Sequence, residues 1–452
     1  MRVSISFRNP SPAPLRSPLD EPLEIVLSEA PDRIRVCSTL RDDEGLLWIY
    51  RGSVDADDLR ECRLCDAPAP WAPEPGAHSN WECFWRLTTG DGSAATDPTP
   101  GEPLEPTLAA LGASHYSILL EAEEGTSCRI EIQRDRLPQG VDVQTALPDP
   151  LRGQLFIPPS SDVRGAVLVL GGSEGGIPAD RAAALAGRGY ATLALGYFAY
   201  SDRPAAAEML PLEYFAAGLG YLHRHWPSAP LTVWGGSRGS EAAMLCAITY
   251  ESLVDGVIAW VPSPVVNPGF DMAGNEDFTR SRRAMWSLHN QPLPDCGNRA
   301  PDAATLKRRR KLQERPPGYR YRDEFLAIWQ DLANDAPSHI PIEQSSARVL
   351  IVSAEDDGLW PSSWGGSQLE RRLAAAKRPG VRHLVLPACG HAIGMPHAPR
   401  PYSHVGFWPK AYAGTDGAYI GQGGDPHNNA RGAVGGWLGV LEFLGELEKR
   451  TA

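Results

Sequence analysis

The first third of the chain carries short runs in which apolar and polar residues alternate. In Cys128–Arg134, Cys and Ile fall on one face and Arg, Glu and Gln on the other, the two-residue period of a half-buried strand. Turn-forming residues separate such runs at Asp42–Gly45 and Glu123–Gly125. The other β-prone runs are Leu23–Leu27, Ile34–Leu40, Leu46–Tyr50 and Tyr116–Leu120. These runs predict an all-β sandwich domain over residues 1–147.

The pattern changes after residue 147, where the strand-like runs become continuously apolar and helical periods appear between them. Ala166–Leu170 is apolar at every position, as expected of a strand buried on both faces of a parallel sheet. Strands that alternate with helices indicate an α/β domain with a mostly parallel sheet, at residues 148–452. Its other predicted strands are Tyr190–Leu195, Leu231–Trp234, Gly256–Trp260, Arg348–Val352 and His383–Leu386, and its clearest helices cover 180–188, 212–225 and 437–449.

Between about residues 262 and 345 this alternation stops. The segment is rich in Pro, Asn and Arg and lies between two predicted strands. We interpret it as an insertion that caps and shapes a pocket.

Composition limits the partners of the protein. With 42% hydrophobic and 22% charged residues in 452, the chain is typical of a globular protein. A net charge of −12 argues against nucleic acid or an anionic membrane as the main partner. We also find neither an apolar run near the roughly 20 residues that span a bilayer nor the apolar core of a secretory signal. We therefore predict a cytoplasmic protein without membrane insertion.

Eight cysteines are spread along the chain, and only Cys62 and Cys65 form a C-x-x-C pair. A zinc or redox site would need a second pair, a histidine pair or a surrounding βαβ pattern. Since none of these is found, we predict reduced, structural thiols and no metal.

The most informative motif is Gly235-Gly-Ser-Arg-Gly239, which lies between a β-prone run and an Ala-rich helical run. A G-x-S-x-G sequence in this context is typical of a nucleophile elbow, a sharp strand-to-helix turn that exposes a serine. The outer glycines let the strand and the helix close around a serine held in a strained conformation. The motif therefore predicts an α/β-hydrolase fold with Ser237 as nucleophile.

A serine nucleophile needs a base, and the base needs an acid that orients it. In this fold the acid and then the histidine follow the serine along the chain. Asp356 and Asp357 both come directly after a predicted strand, and we prefer Asp357 as the acid. His391 follows the next strand in a Gly-His pair and is the predicted base, with His397 as the alternative. Because parallel strands end at one edge of a sheet, these side chains can meet Ser237 there.

A tetrahedral oxyanion requires hydrogen-bond donors that are already in place. We predict the backbone N–H groups of Arg238 and Ser173, the latter in the glycine-rich loop Gly171–Gly176. Gly172 and Glu174 are further candidate substrate contacts, since glycine lets the backbone approach a ligand closely. The loop lacks the Lys-Ser/Thr pair of a phosphate-binding loop.

Several further segments extend the pattern around the elbow. They are 167–176, Arg188–Tyr190, Leu210–Phe215, Gly236–Glu241, Glu355–Ser362, Gly390–His391 and Gly423–Pro426. On these segments the chain resembles the acyl-CoA thioesterase and bile acid-CoA:amino acid N-acyltransferase family. The resemblance covers nearly the whole chain and implies an immunoglobulin-like N-terminal domain before the α/β-hydrolase domain. It assigns the roles of nucleophile, acid and base to Ser237, Asp357 and His391.

The resemblance also implies the chemistry, which is the hydrolysis of acyl thioesters through an acyl-serine intermediate. Acyltransferases of this family use cysteine where its thioesterases use serine, so Ser237 favours water as the acceptor. Two alternatives stay open: an acyltransferase that uses an amine or hydroxyl acceptor, and a carboxylesterase or lactonase of the dienelactone-hydrolase type. The expected substrate is an acyl-CoA or a carrier-protein acyl thioester. Coenzyme A then enters only as part of the substrate, and no metal or redox cofactor is expected.

A basic segment, Lys307-Arg-Arg-Arg-Lys311, stands out in this acidic chain, with Arg280, Arg282, Arg283 and Arg315 near it in sequence. A solvated helix face explains such a segment most simply. Alternatively, Lys307, Arg308 and Arg309 bind the phosphates of coenzyme A or face an acidic carrier protein.

Overall fold

The computed structural model describes the chain outside residues 1, 7–14, 19, 22, 30–32, 42–46, 56–61, 66–87, 90–112, 124, 271–282, 300, 333–335, 397–404, 409–417 and 452. The predicted turn Asp42–Gly45, the alternative base His397, and Arg280 and Arg282 of the basic group lie outside the described residues.

The N-terminal part is built from strands. They are β1 (Arg2–Ser6), β2 (Leu15–Pro18), β3 (Glu24–Ser28), β4 (Arg33–Arg41), β5 (Leu47–Asp55), β6 (Cys62–Cys65), β7 (Thr88–Thr89), β8 (Ala113–Ala122) and β9 (Ser127–Asp135). They form a three-stranded sheet, β1-β3-β6, and a six-stranded sheet, β2-β9-β8-β4-β5-β7. The alternation predicted for β9 is confirmed, because Cys128, Ile130 and Ile132 are buried while the residues between them are exposed.

Strands and helices alternate in the rest of the chain. The strands are β10 (Asp142–Gln144), β11 (Gly153–Ile157), β12 (Gly165–Leu170), β13 (Tyr190–Leu195), β14 (Leu210–Pro211), β15 (Leu231–Gly236), β16 (Gly256–Trp260), β17 (Trp286–Leu288), β18 (Gln291–Pro292), β19 (Arg348–Ala354), β20 (Val381–Leu386), β21 (Val405–Trp408) and β22 (Ala418–Gly421). The α-helices are α1 (Ala179–Gly187), α2 (Leu212–His225), α3 (Arg238–Thr249), α4 (Ala303–Gln313), α5 (Arg322–Gln330), α6 (Ser362–Ala375) and α7 (Pro426–Thr451). None of the helices in the described residues is long and apolar enough to cross a membrane.

The central element is an eight-stranded sheet in the order β10-β11-β13-β12-β15-β16-β19-β20. The six strands from β13 to β20 pair in parallel, whereas β10 and β11 are antiparallel to their neighbours. All six strands predicted for this domain are confirmed. The β10–β11 edge was missed, because β10 is short and half or fully exposed and so lacks an apolar signature.

Side chains of the central strands enter two cores, one on each face of the sheet. In β12, Ala166, Leu168 and Leu170 belong to one core, and Val167 and Val169 to the other. This division follows from the two-residue period of a strand and explains why β12 is apolar throughout. Helices α2 and α3 cover the first face, and α1 and α7 cover the second.

The last helix begins earlier than its sequence pattern indicates. We predicted residues 437–449, whereas α7 covers Pro426–Thr451. Glycines lower the helix propensity of its first half. They also permit close packing: a Cβ on Gly436 would lie 2.5 Å from the Trp260 ring, and one on Gly432 would lie 2.3 Å from Cys389 Sγ.

The segment between β16 and β19 has secondary structure of its own. Strands β17 and β18 join β14 in a small sheet, and α4 and α5 follow. Trp329 of α5 packs on Trp360, which lies beyond β19, with ring centroids 5.6 Å apart. Val265 completes this apolar cluster. The segment is therefore attached next to the carboxyl ends of the central strands.

Candidate active site

Ser237 stands at the junction of β15 and α3 in a strained conformation, with φ 51° and ψ −119°. Its N–H donates to the carbonyl of Trp260 at 2.9 Å, which ties the turn to β16. A Cβ on Gly235 would lie 1.9 Å from the carbonyl oxygen of Gly239, and a Cβ on Gly239 would lie 2.3 Å from that of Gly171. The glycines at both positions are therefore required for strand and helix to approach, as expected for a nucleophile elbow.

Three side chains from three strand ends form one hydrogen-bonded chain. Ser237 Oγ lies 2.9 Å from His391 Nε2, and His391 Nδ1 lies 2.8 Å from Asp357 Oδ2. Ser237 and His391 are each 8% exposed, and Asp357 is fully buried. The backbone N–H of His391 donates to the carbonyl of Gln422 at 2.8 Å, and the Trp360 ring packs edge-on against the imidazole, with ring centroids 5.6 Å apart. The imidazole is thus held in line with the serine on one side and the carboxylate on the other.

The two adjacent acids have separate environments. Asp357 Oδ1 accepts from the N–H groups of Leu359 and Trp360 at 3.0 and 3.1 Å, which leaves Oδ2 for His391. The Asp356 side chain turns outward and pairs with Arg320 at 2.6 Å. The structure therefore places Asp357, the acid we preferred, against the histidine.

Asp356 also links its loop to the segment around Gly424. Its Oδ2 accepts from the N–H of Gly424 at 2.9 Å. Burial by itself would raise the pKa of Asp356, but the hydrogen bonds from Arg320 and Gly424 lower it overall.

The glycine-rich loop after β12 lies directly against the elbow. A Cβ on Gly172 would stand 2.9 Å from Ser237 Cβ and 2.8 Å from Glu174 Oε2, so only glycine fits there. Glu174 Oε1 accepts from the Gly172 N–H at 2.6 Å, and Tyr197 OH donates to the Gly171 carbonyl at 2.7 Å. Burial raises the pKa of Tyr197 well above its ordinary value, so this hydroxyl stays protonated.

Two of the predicted substrate contacts in this loop thus bond to each other. The Gly172 N–H is directed to the Glu174 carboxylate. Ser173 lies between them, in the loop that faces Ser237.

A buried polar network on α3 is absent from the sequence-based prediction. The Glu241 carboxylate is fully buried and accepts from Asn267 Nδ2 and Trp286 Nε1, both at 2.9 Å, and from the Asn267 N–H at 3.2 Å. Arg238 Nη1 approaches it at 3.3 Å. Burial raises the pKa of Glu241, and the surrounding donors oppose that rise. A charge at the fourth position after the nucleophile, on the buried face of a helix, was the available signal.

A second serine–histidine–carboxylate set lies within the sheet. Ser353 Oγ is 2.8 Å from His383 Nε2, and His383 Nδ1 is 3.0 Å from Glu370. Ser353 is fully buried within β19 and has no elbow. No substrate can reach Ser353 at this position. The set therefore has a structural role, because its hydrogen bonds join α6 to β19 and β20.

The basic segment forms helix α4, which Asp302 caps by accepting from the Thr305 N–H. Lys307 and Arg308 are exposed, whereas Arg309 points inward. Arg309 pairs with Glu324 at 2.6 Å and lies over the rings of Tyr319 and Tyr321. The structure thus gives Arg309 a structural partner inside the protein and leaves its two neighbours facing solvent.

The described residues contain no group of three His, Cys, Asp or Glu side chains arranged to hold a metal. Cys62 and Cys65 lie in strand β6. The cysteines found as free thiols are Cys37, Cys128, Cys246, Cys296 and Cys389.

The parallel sheet, the elbow and the Ser237–His391–Asp357 chain define a serine hydrolase of the α/β class. Residues 210–449 match the family described as BAAT / Acyl-CoA thioester hydrolase C terminal, and the chain belongs to this family.

Relatives with similar sequences extend the match to nearly the full length. Acyl-coenzyme A thioesterase 1 of Homo sapiens is 27% identical over 439 residues, covering 94% of this chain and 93% of the relative. Acyl-coenzyme A thioesterase 2, mitochondrial, of Homo sapiens is 27% identical over 441 residues, with 94% and 81% covered. A similar solved structure is a putative dienelactone hydrolase from Klebsiella pneumoniae, with 14% identity, a TM-score of 0.37, and 67% of this chain and 97% of that chain covered.

Proposed function

We propose that the protein hydrolyses acyl-CoA thioesters through an acyl-serine intermediate. The observation that carries the proposal is the continuous hydrogen-bonded chain from Ser237 through His391 to the buried Asp357, in a member of the acyl-CoA thioester hydrolase family. The full-length similarity to proteins named acyl-coenzyme A thioesterases supports the substrate class.

In the first half-reaction His391 Nε2 takes the proton of Ser237 as Oγ attacks the thioester carbonyl. The tetrahedral intermediate collapses with cleavage of the C–S bond, and the coenzyme A thiol leaves with the proton. In the second half-reaction the same nitrogen takes a proton from water, which attacks the acyl-serine ester; as the ester C–O bond breaks, His391 returns that proton to Ser237 Oγ and the carboxylic acid is released. The negative charge of Asp357 stabilises the imidazolium formed in each half-reaction.

The oxyanion donors in this proposal are the backbone N–H groups of Arg238 and Ser173. Arg238 is the first residue of α3, where the unpaired N–H groups and the helix dipole favour negative charge. The contacts of Tyr197 and Glu174 hold the opposite loop close to Ser237. Glu174 then acts on the loop rather than on the substrate, which is a smaller role than the substrate contact we expected.

For coenzyme A we propose that Lys307 and Arg308 attract its phosphates. Helix α4 contacts the tyrosine pair Tyr319–Tyr321 through Arg309, and strand β22 next to it leads to Gln422, which binds the His391 backbone. Helix α4 therefore packs on the strand that directly precedes Gln422. Exchange of both Lys307 and Arg308 for glutamine tests this proposal. The exchange would weaken the binding of coenzyme A, and it would also weaken the binding of an acidic carrier protein if that is the true carrier of the acyl group.

We further propose that residues 1–147, apart from strand β10 near their end, which joins the central sheet, form a separate immunoglobulin-like domain and that residues 262–345 act as a cap. The two sheets of the N-terminal part, of which the six-stranded one is mostly antiparallel, and the separate elements between β16 and β19 support this division. The free thiols found among the described residues are consistent with a reducing compartment, and we keep the cytoplasm as the proposed location.

Intact-mass measurement after mixing with acyl-CoA tests the mechanism. We expect the His391→Ala variant to accumulate an acyl adduct on Ser237, because the water that removes the acyl group has lost its base. The Ser237→Ala variant should show no adduct. Ser353→Ala is the matched control and should turn over substrate like the wild type. An acyl adduct on Ser237→Ala would contradict the proposal.

Thiol release assayed with and without glycine or taurine tests the acceptor. Hydrolysis predicts the same rate in both cases and a free carboxylic acid as product. A rate that requires the amine would instead assign an acyltransferase.

A further inference from the structure

Trp360 touches two members of the hydrogen-bonded chain at once. Its ring stands nearly at right angles to the His391 imidazole, with ring centroids 5.6 Å apart and an interplanar angle of 82°. Its backbone N–H donates to Oδ1 of Asp357 at 3.1 Å. Only 2% of the residue is exposed, so packed side chains rather than solvent surround the ring. A change in the tilt of the Trp360 ring therefore alters the space in which the imidazole is held.

The N–H group of the Trp360 ring ties it to the central sheet. This indole N–H donates to the carbonyl of Val261, directly after β16, at 3.0 Å. One hydrogen bond fixes one atom of the ring and leaves the tilt of the ring to van der Waals packing. Helix α5 supplies much of that packing. The Trp329 ring lies 5.6 Å from the Trp360 ring and the Phe325 ring lies 5.9 Å from it, so the tilt depends on two side chains of the proposed cap.

Trp329 is itself held by a polar link to the elbow helix. Its indole N–H donates to Oδ1 of Asn267 at 3.1 Å. Asn267 in turn donates to the Glu241 carboxylate on α3, at 2.9 Å from Nδ2 and at 3.2 Å from the backbone N–H. Trp329 is 2% exposed and the other two residues are fully buried, so a shift of α5 would leave buried polar groups without partners. Contacts thus run without a break from the helix that follows Ser237, through the proposed cap, to the ring beside His391.

We propose that Trp329 is a positioning residue for the base His391. It holds the Trp360 ring against the imidazole and so keeps Nε2 in line with Ser237 Oγ. The inference rests on the serine–histidine–aspartate site of the proposed function, but it depends on neither the acyl group nor the thiol of the substrate. A segment outside the central sheet thereby contributes to the chemical step, and its disturbance lowers kcat even for a substrate too small to contact it.

Exchange of Trp329 for leucine tests the proposal, because leucine is apolar but lacks both the flat ring and the N–H. We expect kcat for the small ester 4-nitrophenyl acetate to fall roughly 30-fold, since a misplacement of about 1 Å can cost about 100-fold. The loss for acyl-CoA should be similar, because both half-reactions use His391. KM should change by less than about threefold, as expected when only the transition state is affected. Trp329→Phe restores a ring and should recover about half of the loss on a logarithmic scale.

Trp364→Leu is the matched control. Trp364 of α6 packs on Trp329 with ring centroids 6.3 Å apart and belongs to the same apolar cluster. Among the described residues its ring makes no ring–ring contact with Trp360. The exchange therefore removes an indole from the same cluster without touching the ring beside the base, and kcat should stay within about threefold of the wild type. An equal fall in kcat in both leucine variants would assign Trp329 a purely structural role and overturn the proposal.

Proton NMR reports on the imidazole itself. The proton between His391 Nδ1 and Asp357 Oδ2, which are 2.8 Å apart, should give a signal far downfield in the wild type and in Trp364→Leu. In Trp329→Leu this signal should broaden or disappear while thermal unfolding remains cooperative, since a tilted imidazole holds the proton less well. A wild-type signal together with a wild-type kcat in Trp329→Leu would overturn the proposal. So would an unchanged kcat with a raised KM, which would make Trp329 a substrate contact.

A second variant covers the case in which Trp329→Leu does not fold. Phe325 packs on the same Trp360 ring from a half-buried position, so Phe325→Leu disturbs the core less. It should lower kcat about fivefold or more, by the same displacement of the imidazole. A wild-type kcat in Phe325→Leu would then contradict the proposal.

The small ester also separates this inference from the proposed function. If acyl-CoA is not hydrolysed but 4-nitrophenyl acetate is, and Trp329→Leu lowers kcat for the ester, the proposed thioesterase activity fails and the role of Trp329 stands. If acyl-CoA is hydrolysed equally well by the wild type and Trp329→Leu, only the role of Trp329 is rejected. If neither substrate is cleaved, the rate at which a fluorophosphonate labels Ser237 takes the place of kcat, and a wild type that is not labelled would reject both.

Discussion

Exchange of Asp357 for asparagine is the sharpest test of the site, because the structure specifies how the asparagine will bind. In the wild type Oδ1 accepts from the N–H groups of Leu359 and Trp360, so in the variant the amide oxygen must take that position. The amide nitrogen then replaces Oδ2 and donates to His391 Nδ1. This forces the proton of the imidazole onto Nε2, the atom that has to accept the proton of Ser237.

The expected loss in kcat is therefore large although the two side chains have the same shape. A triad with the wrong histidine tautomer loses roughly 10⁴-fold in kcat, or about 5.5 kcal/mol of transition-state stabilisation. Both backbone hydrogen bonds are kept, so the melting temperature should change little. Coenzyme A release followed with a thiol reagent measures kcat, and thermal unfolding checks that the variant is folded.

Asp356→Asn is the matched control one residue away. Its carboxylate is 41% exposed and pairs with Arg320 at the surface, and such ion pairs contribute about 0–1 kcal/mol. We expect kcat within about threefold of the wild type for this variant. If Asp357→Asn kept more than a tenth of the wild-type kcat, or if Asp356→Asn were the more damaging of the two, the assignment of the acid would be refuted.

Four further outcomes are expected. A fluorophosphonate probe should label the wild type and Ser353→Ala equally and leave Ser237→Ala unlabelled; loss of labelling in Ser353→Ala would show that burial does not silence the second set. Gly235→Ala should abolish folding or cost at least about 3 kcal/mol by chemical denaturation, because its Cβ would meet backbone 1.9 Å away. Tyr197→Phe should lower stability by about 1 kcal/mol and reduce kcat, since the loop opposite the elbow loses a buried hydrogen bond; unchanged values of both would remove the loop from the mechanism. Because the pKa of Asp356 is lowered in the folded state, its contribution to stability is present above its unfolded pKa and is lost as the pH falls through the folded pKa, so the stability deficit of Asp356→Asn relative to the wild type should be largest near pH 7 and shrink steadily in acid; a deficit that does not change with pH would contradict this.

Local sequence patterns were sufficient for the chain's architecture around the site. The continuously apolar run of β12 and its counterparts predicted the parallel sheet, because a strand covered on both faces has no polar side. The elbow glycines predicted Ser237, since only residues without a Cβ fit at a turn where backbone atoms come within 2.3 Å of a Cβ position. The order of the strands then placed His391 at the same edge.

Features that depend on contacts between distant segments needed the tertiary structure. Asp356 and Asp357 are chemically identical and adjacent, and only the path of the loop turns one towards Arg320 and the other towards His391. The sequence showed a weak preference between them but no physical reason.

Arg238 makes the same point for a buried charge. Its place after Ser237 is visible in the sequence, yet its burial beside Glu241 follows from Asn267 and Trp286, which belong to segments beyond β16. Periodicity reports which face of one element is apolar, whereas the environment of a charge depends on which elements pack around it. The sequence by itself therefore determined the fold class and the reacting side chains, and the tertiary structure decided the surroundings of each buried charge.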